Sequence, residues 1–169
     1  VLDSTVIRQS ASGLYLGAPG WRVSRSRVDT TTNASYAAVV LNATGKWEAN
    51  RVRGGASYPL QAGSVQYLTG LAPADQDSLL GNARDTIRVL SGTLKGAQVV
   101  VGAGLPWRVD GGNLNVDSAA VLNVQPGGRV AVASGQSVSF YNGGRLVARG
   151  TAGSPVVFTA VNPAQPWGA

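Results

Sequence analysis

These 169 residues contain no cysteine, no histidine and no methionine. Without thiols there is no disulfide, no cysteine nucleophile and no thiolate metal site. Without imidazole there is no Ser-His-Asp triad, no histidine-held zinc and no histidine-ligated haem. Charge is also scarce, at 13% of residues, against ~25% in an average soluble domain. The apolar fraction of 44% is ordinary, so the polar surface must come from Gly, Ser, Thr, Asn and Gln, a composition that suits extracellular β-proteins. Lysine occurs only at Lys46 and Lys95, so arginine carries nearly all the positive charge behind a formal net charge of +6. Its guanidinium is a planar fork of donors matched to carboxylate, sulfate or phosphate. The basic balance admits anionic partners in general and selects none of them.

A membrane-spanning helix is absent as well. The longest uncharged stretch, 150–169, is interrupted by Pro155, Pro163 and Pro166, and a spanning helix needs ~20 apolar residues in a row. Val1-Leu2-Asp3 opens no basic and then apolar leader, so the expectation is a piece cut from a longer chain, with any secretion signal outside it.

What is present is periodicity. In the second half, apolar pairs in strand-like alternation recur at Leu114/Val116, Leu122/Val124, Val130/Val132, Val138/Phe140 and Leu146/Ala148, eight residues apart, and then at Val156/Phe158. Turn formers separate them, at Gly111-Gly112, Pro126-Gly127-Gly128, Ser134-Gly135 and Asn142-Gly143-Gly144. Three strands of this kind close a coil of 24 residues, stacking Leu114 on Val138 and Leu122 on Leu146 at the ~4.8 Å spacing of neighbouring strands. A meander of hairpins would use the same alternation, but the constant step favours coils.

The first half repeats less regularly. Trp21-Arg22-Val23-Ser24-Arg25-Ser26-Arg27 aligns without gaps to Trp47-Glu48-Ala49-Asn50-Arg51-Val52-Arg53, at a spacing of 26. The same shift sets Leu2-Asp3 under Val28-Asp29. Strand-like pieces follow at 13–16, 36–41 and 58–60. The pattern lapses over 71–84, where Pro73 to Gly81 reads as an inserted loop with one short helical turn, and 86–90 returns to strand.

Residues 105–168 resemble a known repeat. Leu105-Pro106-Trp107-Arg108-Val109, Gly112-Asn113-Leu114-Asn115-Val116, Ala120 to Gly127, Gly144 to Thr151, Pro155-Val156-Val157-Phe158-Thr159 and Pro166-Trp167-Gly168 are similar to the coils of right-handed parallel β-helix proteins of bacterial secreted and cell-surface type, the pectate-lyase-like superfamily. The resemblance implies that fold and an extracellular setting. It implies no single activity, because the fold carries lyases, hydrolases, adhesins and structural stalks.

Several chemistries fail on the residues. Val99-Val100-Val101-Gly102-Ala103-Gly104 has Trp107 where a dinucleotide fingerprint needs glycine, and Pro106 breaks the helix that would follow. The double glycines lead into Asn113, Arg129 and Arg145 rather than the aspartates of a calcium roll. No metal site and no cofactor is expected. Glycoside hydrolysis needs two convergent carboxylates; Asp3 with Asp29 and Asp75 with Asp77 are the pairs to consider, and turn or cap roles are the simpler reading of both. Thr30-Thr31-Thr32 is not repeated as an ice-binding array would require. Neither a groove-sized helix nor an aromatic RNA platform is present, so nucleic acid is not expected.

The most distinctive feature is the expected ladder of Trp21 over Trp47, Arg25 over Arg51 and Arg27 over Arg53. Like charges one strand apart repel, and an anionic ligand would relieve them while the indoles stack on sugar. These six residues are the candidate glycan-binding site, with acidic polysaccharide the candidate partner.

The expectation is therefore an all-β, right-handed, three-sided parallel β-helix, a fragment of a longer solenoid. Coils of 21–26 residues fill 1–90, with the loop insertion near 71–84, and coils of about 24 fill 91–169. The functional expectation is a non-catalytic structural or adhesive section of a secreted or surface-attached bacterial protein. It would assemble end to end or laterally through open ends, without membrane insertion. The alternative is a fragment of a polysaccharide lyase or hydrolase whose catalytic residues lie partly elsewhere.

Overall fold

Short apolar alternations cut by turn formers produce short strands, two to five residues each. The computed structural model describes residues 1–168, the side chain of Asp77 excepted. The chain is an all-β solenoid of about seven turns with 7% helix, and its strand ladders are parallel.

One sheet runs through the whole length. Its seven strands are Leu14–Leu16, Val39–Leu41, Leu60–Ala62, Ile87–Val89, Trp107–Val109, Arg129–Val132 and Val157–Ala160. Four three-stranded sheets complete the turns. Leu2–Asp3, Trp21–Ser24 and Gly45–Glu48 form one, and Val6–Ser10, Arg27–Thr31 and Arg51–Arg53 another. In the second half these are replaced by Gly92–Lys95, Leu114–Asp117 and Val138–Phe140, and by Gln98–Val101, Val121–Val124 and Arg145–Ala148. The expected stacking of Leu114 on Val138 and Leu122 on Leu146 is the observed register.

Between the two halves, strands give way to helical turns at Val65–Gly70, Pro73–Gln76 and Asp77–Leu79. The insertion stays part of the column. Val65, Leu68 and Leu79 are buried in the core, Leu71 bridges to Trp47, and the Gln76 side chain bonds Val100 and Gly102 in the turn above.

Inward positions alternate with outward ones, as parallel pleated strands require. The column of Val23, Val28, Leu41, Trp47, Val52, Leu60, Ile87, Trp107, Leu114, Leu122 and Val130 is buried throughout. Each buried Leu or Val contributes about 2 kcal/mol of apolar transfer. Trp107 and Trp47 fill this core at 1% exposure.

The corners of the first half use left-handed backbone at residues other than glycine. Ser4, Arg25 and Ala49, with φ of 49°, 47° and 51°, stack at one corner. Such a conformation costs ~1–2 kcal/mol per residue. It is offset by the ladder continuing through the bend: Ser4 N donates to Ser24 O at 3.1 Å and Arg25 N to Glu48 O at 3.0 Å. Just inside the bend, Asn50 is buried, accepting from Ser26 N and donating to Val23 O at 2.8 and 2.7 Å.

Candidate anion-binding site

The sheet built from Val6–Ser10, Arg27–Thr31 and Arg51–Arg53 turns Ile7, Val28 and Val52 inward and leaves two outward rows. One row is Val6, Arg27, Arg51 and the other Arg8, Asp29, Arg53. Asp29 therefore has a guanidinium one strand away on each side and a third, Arg27, two residues before it on the same face. Arg27 NH2 lies 3.1 Å from its carboxylate, Arg53 Nε 3.5 Å and Arg8 Nε 3.8 Å. The carboxylate is 13% exposed, while the arginine side chains are 39%, 45% and 64% exposed.

One negative charge thus faces three positive ones. The surplus cannot be relieved by deprotonation, because arginine stays charged. The remaining guanidinium donors open onto a hollow of about 460 Å³ that Gln9, Thr30, Gly54 and Gly81 complete. Within the cluster both Arg27 Nε and Asp29 Oδ1 are buried without a hydrogen-bond partner among the described residues. The arrangement can accept a carboxylate, sulfate or phosphate oxygen in the plane of the forks.

The expected ladder is not formed. The hydrogen-bonded step here is 24 residues rather than 26: Trp21 stands opposite Gly45, Val23 opposite Trp47, Arg27 opposite Arg51 and Asp29 opposite Arg53. The Trp21 indole lies across Gly45, where a Cβ would fall 2.1 Å from its Cδ2, and its Nε1 donates to Ala43 O at 2.8 Å. Trp21 packs against the core and Trp47 is inside it. Arg25 is a corner residue above Ser4 and below Ala49, ion-paired to Asp3. Matching letters at 26 aligned two segments whose backbones pair two residues out of step.

The carboxylate pairs also separate. Asp3 pairs in register with Ser24, not Asp29. Its pKa is held below the ordinary 3.8, first by the hydrogen bond from Ser24 and then by Arg25. Asp75 accepts Ala49 N at 2.9 Å, a structural contact, and the side chain of Asp77 lies outside the described residues. Asp110 is taken up by Arg88 and Arg108. Asp117 accepts from Ser118 N and Asn142, which lowers its pKa, the Asn142 bond being the larger cause. Among the described residues no three acidic side chains converge as a metal site would require, and no helix is long and apolar enough to cross a membrane.

Sequence reasoning did not pick out Arg8 and considered Asp29 only as a carboxylate partner of Asp3; these two turn a row of arginines into a cluster. Their signal was a basic, acidic, basic row at steps of 21 and 24, legible only once the register is known. Comparison with protein-family models, with curated proteins and with solved structures finds no match for this chain.

Proposed function

We propose that the chain is a non-catalytic, surface-exposed section of a bacterial β-helix that binds acidic polysaccharide through Arg8, Arg27 and Arg53. The right-handed, three-sided, secreted type that residues 105–168 resemble belongs to the same proposal. The carrying observation is the surplus of guanidinium donors around the single Asp29 carboxylate. A polymer with regularly spaced carboxylates or sulfates suits an exposed cluster of arginines along an open solenoid flank better than a compact substrate does.

A basic chain retains many polyanions without specificity, so the test matches charge. Retention of alginate, heparin and neutral dextran would be compared for the native chain, for Arg27→Ala with Arg53→Ala, and for Arg129→Ala with Arg145→Ala. The expected outcome is salt-sensitive retention of an acidic polymer that falls more than tenfold per arginine in the first variant and persists in the second. Equal losses in both would reduce the effect to net charge. Release of oligosaccharide would overturn the non-catalytic reading and restore the lyase or hydrolase alternative.

Assembly is part of the same proposal. Phe140 and Leu146 are 37% and 43% exposed, although their partners one turn earlier, Val116 and Leu122, are fully buried. A second copy stacked in the same parallel sense would cover them and satisfy the strand edges. Leu146→Glu should abolish any concentration-dependent increase in mass by light scattering; a monomer at millimolar concentration would dismiss the idea.

A further inference from the structure

Tyr15 stands opposite Val40 at the start of the outward row of the seven-stranded sheet. It is 66% exposed, and Tyr36 is 59% exposed. With Ser12 and Val40 they line a hollow of about 270 Å³, below the ~300–1,000 Å³ of pockets for drug-sized ligands and suited to one ring.

An exposed tyrosine ordinarily samples several rotamers. Tyr15 is fixed at both ends: Asn42 Nδ2 donates to its Oη at 2.8 Å, and its ring lies over Gly17, where a Cβ would fall 2.5 Å from Cε1. The ring is therefore oriented before any ligand arrives, which removes an ordering cost from binding. Because the phenol oxygen accepts from Asn42, its own proton remains to be donated outward.

The chemistry of the hollow is narrow. Two aromatic rings and a valine offer apolar surface, and Ser12, Tyr15 and Tyr36 offer hydroxyls. A pyranose matches both, with a C–H face to lie on an aromatic ring and hydroxyls around its edge. A nucleobase would bring ring nitrogens and amino groups, and the hollow has no guanidinium or carboxylate to read them.

The hollow also adjoins the arginine groove. Gln9 lines the groove and Ser12 the hollow, and three residues of chain span at most about 11 Å. That corner is tied down by Gly13 N to Ser10 Oγ at 3.2 Å, Thr32 N to Ser10 O at 3.1 Å and Asn33 N to Ala11 O at 3.1 Å.

We infer that Tyr15, Tyr36 and Val40 form a stacking subsite for one pyranose ring of a glycan, the hydroxyls of Ser12 and the tyrosines taking the sugar hydroxyls. The subsite rests on the acidic-glycan reading only for the polymer that continues into the arginine groove.

The test is calorimetric titration with a guluronic-acid hexamer, a neutral glucose hexamer and a thymidine hexanucleotide, each at low and high salt. Tyr15→Ala removes the platform, Gly17→Ala keeps the tyrosine but displaces its ring, and Arg27→Ala with Arg53→Ala empties the groove. Circular dichroism confirms that each variant is folded. Both platform variants should weaken the acidic hexamer at least tenfold at both salt concentrations, leaving the salt dependence unchanged; the arginine variant should flatten that dependence. If the platform variants bind like the native chain while the arginine variant does not, the subsite is wrong and the acidic-glycan reading stands. Loss in the platform variants alone, for either sugar hexamer, keeps the subsite and removes the acidic-glycan reading. Tyr15-dependent binding of the oligonucleotide in preference to both sugars would overturn the sugar as occupant. Failure of every probe to bind would overturn both proposals.

Discussion

Arg88 stands directly opposite Arg108 on neighbouring strands of the seven-stranded sheet, and a single carboxylate, Asp110, accepts the Nε–H of both at 2.8 and 2.6 Å. Two guanidiniums one strand apart repel, so the pair is tolerable only with the anion between them. Asp110 is 8% exposed and the arginines 29% and 36%. Its removal leaves the repulsion and two half-buried donors without their acceptor. Asp110→Ala should cost about 2 kcal/mol, read as a lower urea midpoint at unchanged slope. Asp110→Asn, which keeps one acceptor oxygen, should cost less.

Gly45 is required by its neighbour rather than by its own backbone. The added methyl of Gly45→Ala would sit 2.1 Å from Cδ2 of Trp21 and 2.4 Å from its backbone O, so the indole must leave its place, breaking its bond to Ala43 O, and the neighbouring strand must shift as well. The expected cost is about 1–3 kcal/mol. Trp21 is the half-buried one of the pair with Trp47, so its exposure should red-shift the tryptophan emission while the circular dichroism stays native.

The second half of the fold could be read directly because turn formers recur at a constant eight-residue step, and a constant step fixes register. That is why Leu114 over Val138 and Leu122 over Leu146 were predictable. In the first half the corners are left-handed residues such as Ser4, Arg25 and Ala49, which carry no glycine to announce them. The spacing of Trp21 and Trp47 then suggested a register two residues away from the one the backbone adopts. An error of two keeps the inward face inward, so the core was still legible. It moved the charged pairs between the second and third turns. The step between the first and second, 21 rather than 26, parted Arg8 from Asp29, so the grouping of Arg8, Asp29 and Arg53 was lost.

Acid should destabilise the chain through Asp3 and Asp117. Both carboxyls are held below their ordinary 3.8 in the folded state, Asp3 mainly by Ser24 and then Arg25, Asp117 mainly by Asn142. The folded chain then binds fewer protons than the unfolded one. The stabilisation is complete above the ordinary value and is lost as the pH falls through the lowered ones. The melting temperature should therefore be flat from neutrality to about pH 5 and decline below about pH 4. Asp3→Asn should make that decline shallower, and an unchanged slope would remove Asp3 from the account.

Gln76 is the buried fastening between the helical insertion and the strand turn above it. At 1% exposure, its Nε2 donates to Val100 O at 2.7 Å and its Oε1 accepts Gly102 N at 3.0 Å. Gln76→Leu would leave a carbonyl and an amide buried without partners, at about 3 kcal/mol together, and amide exchange at Gly102 should accelerate. Gln76→Glu separates packing from hydrogen bonding. Its carboxylate still accepts from Gly102 but sets a negative oxygen against Val100 O, whereas the protonated acid donates there as the amide did. Burial raises the folded-state pKa of this new group above its unfolded ~4.3. The folded chain then binds the extra proton, so the variant should regain stability as the pH falls from 7 towards 5, a range over which the native chain stays flat.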